Sequence, residues 1–455
     1  MRAIPAAVVA AIISLTAAPL ATANNMGGDW VSSDNVEYLG SLKEDVGLTT
    51  GARVIGDRLF VTSAKNISIY DISTPEYPER LGSLKVNLSW ENEEVPTNGN
   101  VLVFASDFFN AMQSCASEGA VTGCVQFFDV RDPANIQEIG HIPIANHTAE
   151  CALDCQFVYG SEGTIIDARN ILDGQAPAVI GDWITELEAQ GVASESCHHI
   201  RELRPGVLLT ACQPFSVISI NSEDGGSPEH PRVLYTGESE KFVHSARWPR
   251  RGRDKFLLTG GELNFTGRCE RADSEFSTYS AAAVNQGDST TFEGPLFQKP
   301  PARNGTYIDG RPPANHLGCS VHWFQEHKTF RNGGLVALSE YENGVRFLQI
   351  HKDGAIEEQG FFAALGSSSS SPKWAPSGDV VYSVDYDRGI DIIRWKGKYY
   401  VPKKRKGNKG RKRGTNGTTT TPRLNRRQAA RRDRLAAQLS AQGWSPGLCR
   451  LGASR

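Results

Sequence analysis

Long apolar stretches are missing from this chain of 455 residues. The longest, Ala6 to Ala18, falls short of the ~20 residues a membrane-spanning helix needs, and no second run approaches that length. Also missing are G-x-S-x-G, H-E-x-x-H and P-loop patterns, which sets aside the common hydrolase, zincin and nucleotide-binding signatures. Paired C-x2-C knuckles of structural zinc are absent as well. Basic residues are scarce in the body: the stretch after Pro402 holds 16 of the 48 Lys and Arg against the single acidic Asp433, leaving 32 basic and 50 acidic groups before it. Such a sign split points to an interaction arm on an acidic body rather than a shared core.

What is present begins with Met1-Arg2, the apolar Ala6 to Ala18 and Ala21-Thr22-Ala23. A charged start, a short apolar region and a small-x-small site read as a secretory leader over 1–23, cleaved after Ala23 and followed by a linker over 24–35. An uncleaved N-terminal anchor is the alternative. A secreted or cell-surface setting suits the nine cysteines, because an oxidising compartment preserves disulfides. Local pairing suggests Cys115 with Cys124, Cys151 with Cys155, Cys197 with Cys212, and Cys269 with Cys319. Metal ligation by Cys151, Cys155 and Cys197 is a competing reading. Cys449 is left over in the tail as a free or intermolecular thiol.

Repetition organises the middle of the chain. Leu39-Gly40-Ser41-Leu42 recurs as Leu81-Gly82-Ser83-Leu84, and β-rich runs recur seven times: at Leu59, Val101, Gln156, Val207, Phe256, Leu335 and Val380. Most are followed by a second alternating strand, such as Asn66 to Ile72 or Val125 to Val130, and then by a Pro- and Asp-rich turn. Seven such units over 36–401 predict an all-β, seven-bladed β-propeller, favoured over a solenoid or paired sandwiches because radial repetition protects strand edges. The leading motif Glu37 to Leu42 is expected to pair with the last blade near Gly389 to Trp395 and close the ring. The fifth copy reads as degenerate, with an inserted loop around a weak strand between Cys269 and Gln298.

Ile69-Tyr70-Asp71-Ile72-Ser73 followed by Pro75 and Leu81-Gly82, and Phe128-Asp129-Val130 followed by Asp132-Pro133 and Ile139-Gly140, resemble the LVIVD repeat of exported bacterial β-propeller proteins. The likeness covers most of 36–395 and is sharpest in the first two blades. It implies architecture and an extracytoplasmic setting, and brings no active site with it.

Propellers bind ligands at the mouth of the central channel, lined by the segments that precede each β-rich run. Histidines sit there in four successive blades: His147, His198 with His199, His244 and His322. Converging imidazoles are ligands for copper, zinc or iron, with Glu150 as a base beside the metal; rim or backbone-bonded histidines are the plainer reading. A second set, Arg53, Arg201, Arg247-Trp248 and Lys373-Trp374, repeats a cation beside an aromatic and suits an anionic or sugar-like ligand. Tryptophans wedged between blades as core are the alternative for Trp248 and Trp374.

The basic C-terminal tail, 402–455, opens with residues that cannot bury a core, so disorder is expected there, with a partly helical stretch from Arg423 to Gln442. It suits an anionic cell-envelope polymer or membrane surface, with nucleic acid as a lesser alternative. Asn-x-Ser/Thr sequons begin at Asn66, Asn87, Asn146, Asn264, Asn304 and Asn416. Together these features lead to an exported, monomeric binding module for an unidentified ligand at the channel. The runner-up is a metal-dependent hydrolytic or oxidative enzyme with a transition metal at the propeller axis.

Overall fold

The computed structural model describes residues 23–27, 30–42, 49–63, 65–86, 93–106, 123–239, 241–262, 274–301, 320–364 and 367–398. These residues form seven antiparallel sheets, and innermost strands of neighbouring sheets pack against one another around a common axis. The result is the seven-bladed β-propeller. Blade 1 comprises Thr49–Ile55, Arg58–Ser63, Asn66–Asp71 and Glu79–Lys85. Blade 2 has Val101–Ser106, Cys124–Asp129 and Gln137–Ile142. Blade 3 has Ala149–Ala152, Phe157–Gly160, Thr164–Asp167 and Ala178–Asp182. Blade 4 has Glu195–Arg204, Val207–Gln213, Phe215–Ser219 and Arg232–Gly237. Blade 5 has Ser245–Arg247, Phe256–Gly260, Phe276–Ser280 and Glu293–Lys299. Blade 6 has Phe324–Glu326, Gly334–Ser339, Val345–Ile350 and Ile356–Ala364.

Blade 7 contains Ser369–Trp374, Val380–Asp385 and Gly389–Trp395, and its fourth strand is Val36–Leu42 from the other end of the chain. Ring closure therefore occurs where the leading Glu37 motif placed it. Each β-rich run proves to be the second strand from the axis, covered on both faces by neighbouring blades. That is why the runs read as unbroken apolar stretches rather than as alternations. Outermost strands such as Glu79–Lys85 are largely exposed.

The Leu-Gly motif has a geometric cause. In every blade the third and fourth strands lose register by a bulge. Leu39, Leu81, Ile139 and Ile180 are the skipped residues in four of them, each followed by glycine. A β-carbon on Gly82 would lie 1.7 Å from the carbonyl oxygen of Pro133, and one on Gly140 would lie 3.1 Å from Pro177 Cδ. At these two boundaries the glycine thus admits the proline turn of the next blade against the outer strand, so the two repeated motifs meet there.

Two expectations are corrected. The fifth blade is not degenerate: Phe276–Ser280 and Glu293–Lys299 complete a regular four-stranded sheet. Polar Ser277 and Thr278 obscured the strand, yet both are buried, Thr278 by donating its hydroxyl to Gly354 O. The stretch read as a linker, 24–35, instead supplies Ala23–Gly27 and Trp30–Ser33, which extend blade 6 beyond Ile356–Ala364.

Disulfides join Cys151 to Cys155 and Cys197 to Cys212, and Cys124 is disulfide-bonded too. These bonds consume the sulfurs that the zinc reading required. The leader before Ala23, the tail after 402, Cys115, Cys269, Cys319, Cys449 and the sequons at Asn87, Asn264, Asn304 and Asn416 lie outside the described residues. Asn66 and Asn146 are buried, with side-chain amides turned toward Ser68 and Thr164, which leaves no room for a glycan in the folded protein.

The bulge lock makes adjacent residues differ sharply. Gly82→Ala is expected to cost about 2 kcal/mol or more, because Pro133 backbone must move, whereas truncating its exposed neighbour in Leu81→Ala should stay within about 0.5 kcal/mol. Urea denaturation midpoints of the two variants check this; equal midpoints would contradict it.

Candidate metal centre

The innermost segments run parallel around the axis, and residues at equivalent heights are tied by their backbones. Thr148 donates its hydroxyl to His198 O. Ser245 does the same to His322 O at 3.2 Å, and Ser370 to Thr50 O at 3.0 Å. One end of the channel is thereby lined by His147, His198, His244 and His322. Their rings form a continuous arc, with centroids 4.6, 3.7 and 4.3 Å apart in that order. His244 and His322 are fully buried, His198 nearly so, and His147 is half-buried.

Two carboxylates enter the arc. Glu93 precedes the irregular segment that serves blade 2 as its innermost edge, where Thr97 bridges Leu102 and Pro96 O accepts from Val103 N–H. Glu262 follows the second strand of blade 5. Glu93 lies 3.2 Å from His322 Nε2, 3.5 Å from His244 Nε2 and 3.9 Å from His198 Nε2. Glu262 lies 3.6 Å from His244 Nε2 and 4.0 Å from His322 Nε2. Three triads have ligand atoms mutually within 4.8 Å: Glu93 with His244 and His322, Glu93 with His147 and His198, and Glu262 with His198 and His244.

Most of these separations are too long for hydrogen bonds. They match atoms that share an ion, since two ligands ~2.1 Å from a tetrahedral metal are ~3.4 Å apart. Neither ring nitrogen of His244 has a hydrogen-bond partner, and the same holds for His198 Nδ1 and His322 Nε2. Surrounding groups fix the ligands' orientation. His322 donates Nδ1–H to Ser370 O at 2.8 Å, which turns Nε2 toward Glu93. Trp323 Nε1–H donates to Glu93 Oε2 at 2.8 Å, the Tyr386 hydroxyl donates to Glu93 Oε1, and the Tyr341 hydroxyl to Glu262 Oε1. Tyr341 holds a left-handed φ of 42° while its ring stacks on His322.

Electrostatics follow from burial and crowding. Desolvation, then neighbouring imidazoles, hold His198 and His244 below the ordinary histidine range. Burial opposes the charge on Glu93, but His322 and His244 outweigh it and keep the carboxyl ionised well below its usual range. Burial also works against charge on His322, where Glu93 and Glu262 prevail and raise its pKa. His198 and His244 are thus held toward the neutral, metal-binding form, while His322 is paired with an ionised Glu93.

Deeper along the same strands lies a second, charged layer. Three residues past His147, His198, His244, Ser370 and Thr50 stand Glu150, Arg201, Arg247, Lys373 and Arg53, ~10 Å further along extended backbone. Both terminal nitrogens of Arg53 donate to Glu150 Oε1 at 3.0 Å. Glu94 takes Lys373 Nζ at 2.8 Å and lies 3.5 Å from Arg247, whose other terminal nitrogen is 3.7 Å from Glu326. Desolvation would raise the Glu94 carboxyl, yet Lys373, Arg247 and Arg201 hold it far below its usual range. Burial, only partly offset by Glu94, pushes Lys373 down to about 8.

Several sequence assignments change. Glu150 is bound to Arg53 in the charged layer and is not a base beside the imidazoles. His199 is no ligand, because successive residues of a strand face opposite ways; its Nδ1 accepts Ala246 N–H and its ring meets Trp323 edge-on. Trp248 packs on Phe292 and Tyr235 and donates to Asp254 O. Trp374 packs on Phe347 and His327 and donates to Gln325 O. Both are core wedges, while Trp323, in the same phase, reaches the axis. Glu93 and Glu262 were missed because neither sits in a β-rich run. The available signal was the phase shared by Glu262, Tyr341 and Tyr386, each just past the second strand of its blade.

No family model matches the chain, and no curated protein matches it. Solved structures similar to it include a computationally designed protein, Ika8 (14% identity, 78% of this chain and 99% of that one, TM-score 0.45). The RRP9 WD40 repeats (10%, 79% and 99%, TM-score 0.46) and U3-55K (10%, 79% and 98%, TM-score 0.46) are also similar.

The charged layer makes a stability prediction. Glu94→Gln leaves Lys373 and Arg247 buried without their shared carboxylate and is expected to cost about 3–5 kcal/mol, and adding Lys373→Met should recover part of it. Thermal and chemical denaturation of the single and double variants measure both; a single variant as stable as the parent would contradict the pairing.

Proposed function

We propose that the protein is an exported, LVIVD-type propeller enzyme that depends on a transition metal at its channel mouth. One observation carries the reading: His244 is fully buried with neither ring nitrogen hydrogen-bonded, and its Nε2 lies 3.5 and 3.6 Å from two carboxylates. Leaving buried polar atoms unmade costs about 1–3 kcal/mol each, a penalty a bound ion removes. Glu93, His244 and His322 form the fully enclosed triad and His198 completes the set. His147 and Glu262, both half-buried, lie on the side left for water or substrate. Nitrogen-rich ligation with one carboxylate suits copper, iron, manganese or zinc, and such an ion supplies Lewis acidity or redox chemistry. Glu262, anchored by the Tyr341 hydroxyl, is placed to exchange a proton with a ligand on that side.

A plain binding module offers no reason to bury an arc of imidazoles against two carboxylates, which ranks that reading second. Export is supported by the leader-like start and the disulfides. The basic tail is proposed to retain the protein at an anionic surface, in a salt-sensitive way.

Metal analysis after reconstitution with each of these ions is expected to find one ion per chain. His244→Ala should abolish stoichiometric loading, and Glu93→Gln should weaken affinity about 10–100-fold. An ion whose electron paramagnetic resonance signal is lost on reduction and restored on reoxidation would place the chemistry with oxidation; tight binding of zinc alone would place it with hydrolysis. Wild-type protein that takes up no ion, or His244→Ala loading like wild type, overturns the proposal.

A further inference from the structure

We propose that the charged layer is a receptor for the oxyanion of a small acidic ligand, with Arg201 as its principal contact. Four cations, Arg53, Arg201, Arg247 and Lys373, stand among Glu94, Glu150 and Glu326, with Glu202 beside Arg53 and Glu150. Every cation except Arg201 has a carboxylate within 4.0 Å; Arg201 has none among the described residues. It is partly accessible, as is Arg53. Burial, then the like charges of Arg247 and Arg53, push its guanidinium down to about 10, only partly offset by Glu94 and Glu150. Glu94 and Glu150 act on Arg201 only at a distance, and a guanidinium with no carboxylate in contact keeps its fork open to two oxygens.

Neighbouring donors are also unused. His199 shares a strand face with Arg201, two residues away. Its Nδ1 accepts from Ala246, so the neutral ring carries its proton on Nε2, a buried donor with no partner. Arg247 Nε is likewise buried and unpartnered. Arg201, His199 and Arg247 thus present three donor groups, with Glu94 and Glu150 already engaged by other cations. The site lies one layer from the imidazoles: Glu93 belongs to that arc and the adjacent Glu94 to this layer. As the substrate site of the enzyme, the assignment rests on the metal reading and specifies a substrate bearing a carboxylate or a sulfate-like group. As an oxyanion site, it stands without the metal.

The test uses metal-free, full-length protein, titrated with propionate and separately with inorganic sulfate at constant ionic strength set by chloride. A saturable rise in Tm of about 2–4 °C is expected from at least one anion, and the stronger of the two tells a planar carboxylate from a tetrahedral oxyanion. Arg201→Gln should abolish the rise while its Tm without anion equals or exceeds that of wild type, since a like charge has been removed. Metal loading of Arg201→Gln should match wild type, which separates this site from the imidazole layer. No saturable rise with either anion, an undiminished rise in Arg201→Gln, or a lower anion-free Tm for that variant overturns the assignment.

Discussion

Closing seven sheets into a ring forces their innermost strands to face one another, and polar side chains sent inward must find partners at the axis rather than in bulk water. That constraint shapes the rest of the molecule. Blades 3 to 6 contribute imidazoles, blade 2 gives up a regular innermost strand to insert Glu93 and Glu94, and blade 7 contributes Lys373 from an edge strand that also accommodates Pro372. Buried charge is tolerated because it is sorted by height: imidazoles and carboxylates at the strand starts, guanidiniums and their carboxylates deeper in.

The periphery solves a different problem. Every blade bulges between its outer two strands, and blades 1 and 2 place a glycine there so that the neighbouring proline turn can close on it. Rigid contact between blades fixes the height of each inner strand. Fixed height in turn keeps six ligand-type side chains within a few ångströms of one another. Orientation is refined locally by Trp323, Tyr341, Tyr386 and Ser370, each acting on one ligand. The centre is therefore built from blade-to-blade packing, with no single motif responsible for it, which is why no catalytic signature marks it.

Much of the architecture was legible in the sequence because second strands buried on both faces write themselves as apolar runs, and because Glu37 to Leu42 carried the outer-strand pattern with no blade before it. Blade 5 was harder: its third strand buries Ser277 and Thr278, so its inward face does not look apolar. The hairpin at 23–33 was read as linker because it merely extends an existing sheet. Among site residues, the phase of His147, His198, His244 and His322 was visible, since all precede a β-rich run by a similar interval. His199 could be separated from His198 only by knowing which way the strand faces. Glu93 and Glu262 depended on turns whose paths no periodicity records, and Glu150 was assigned to the wrong layer by three residues of strand.

The central claim is that the imidazole arc and its carboxylates hold one ion. Anomalous diffraction at the absorption edge of the reconstituted metal tests it most directly. The account predicts a single peak enclosed by His198, His244, His322 and Glu93, ~2.0–2.2 Å from the ligating nitrogen and oxygen atoms. A metal-soaked crystal with no peak there, or with its peak elsewhere on the protein, would contradict it.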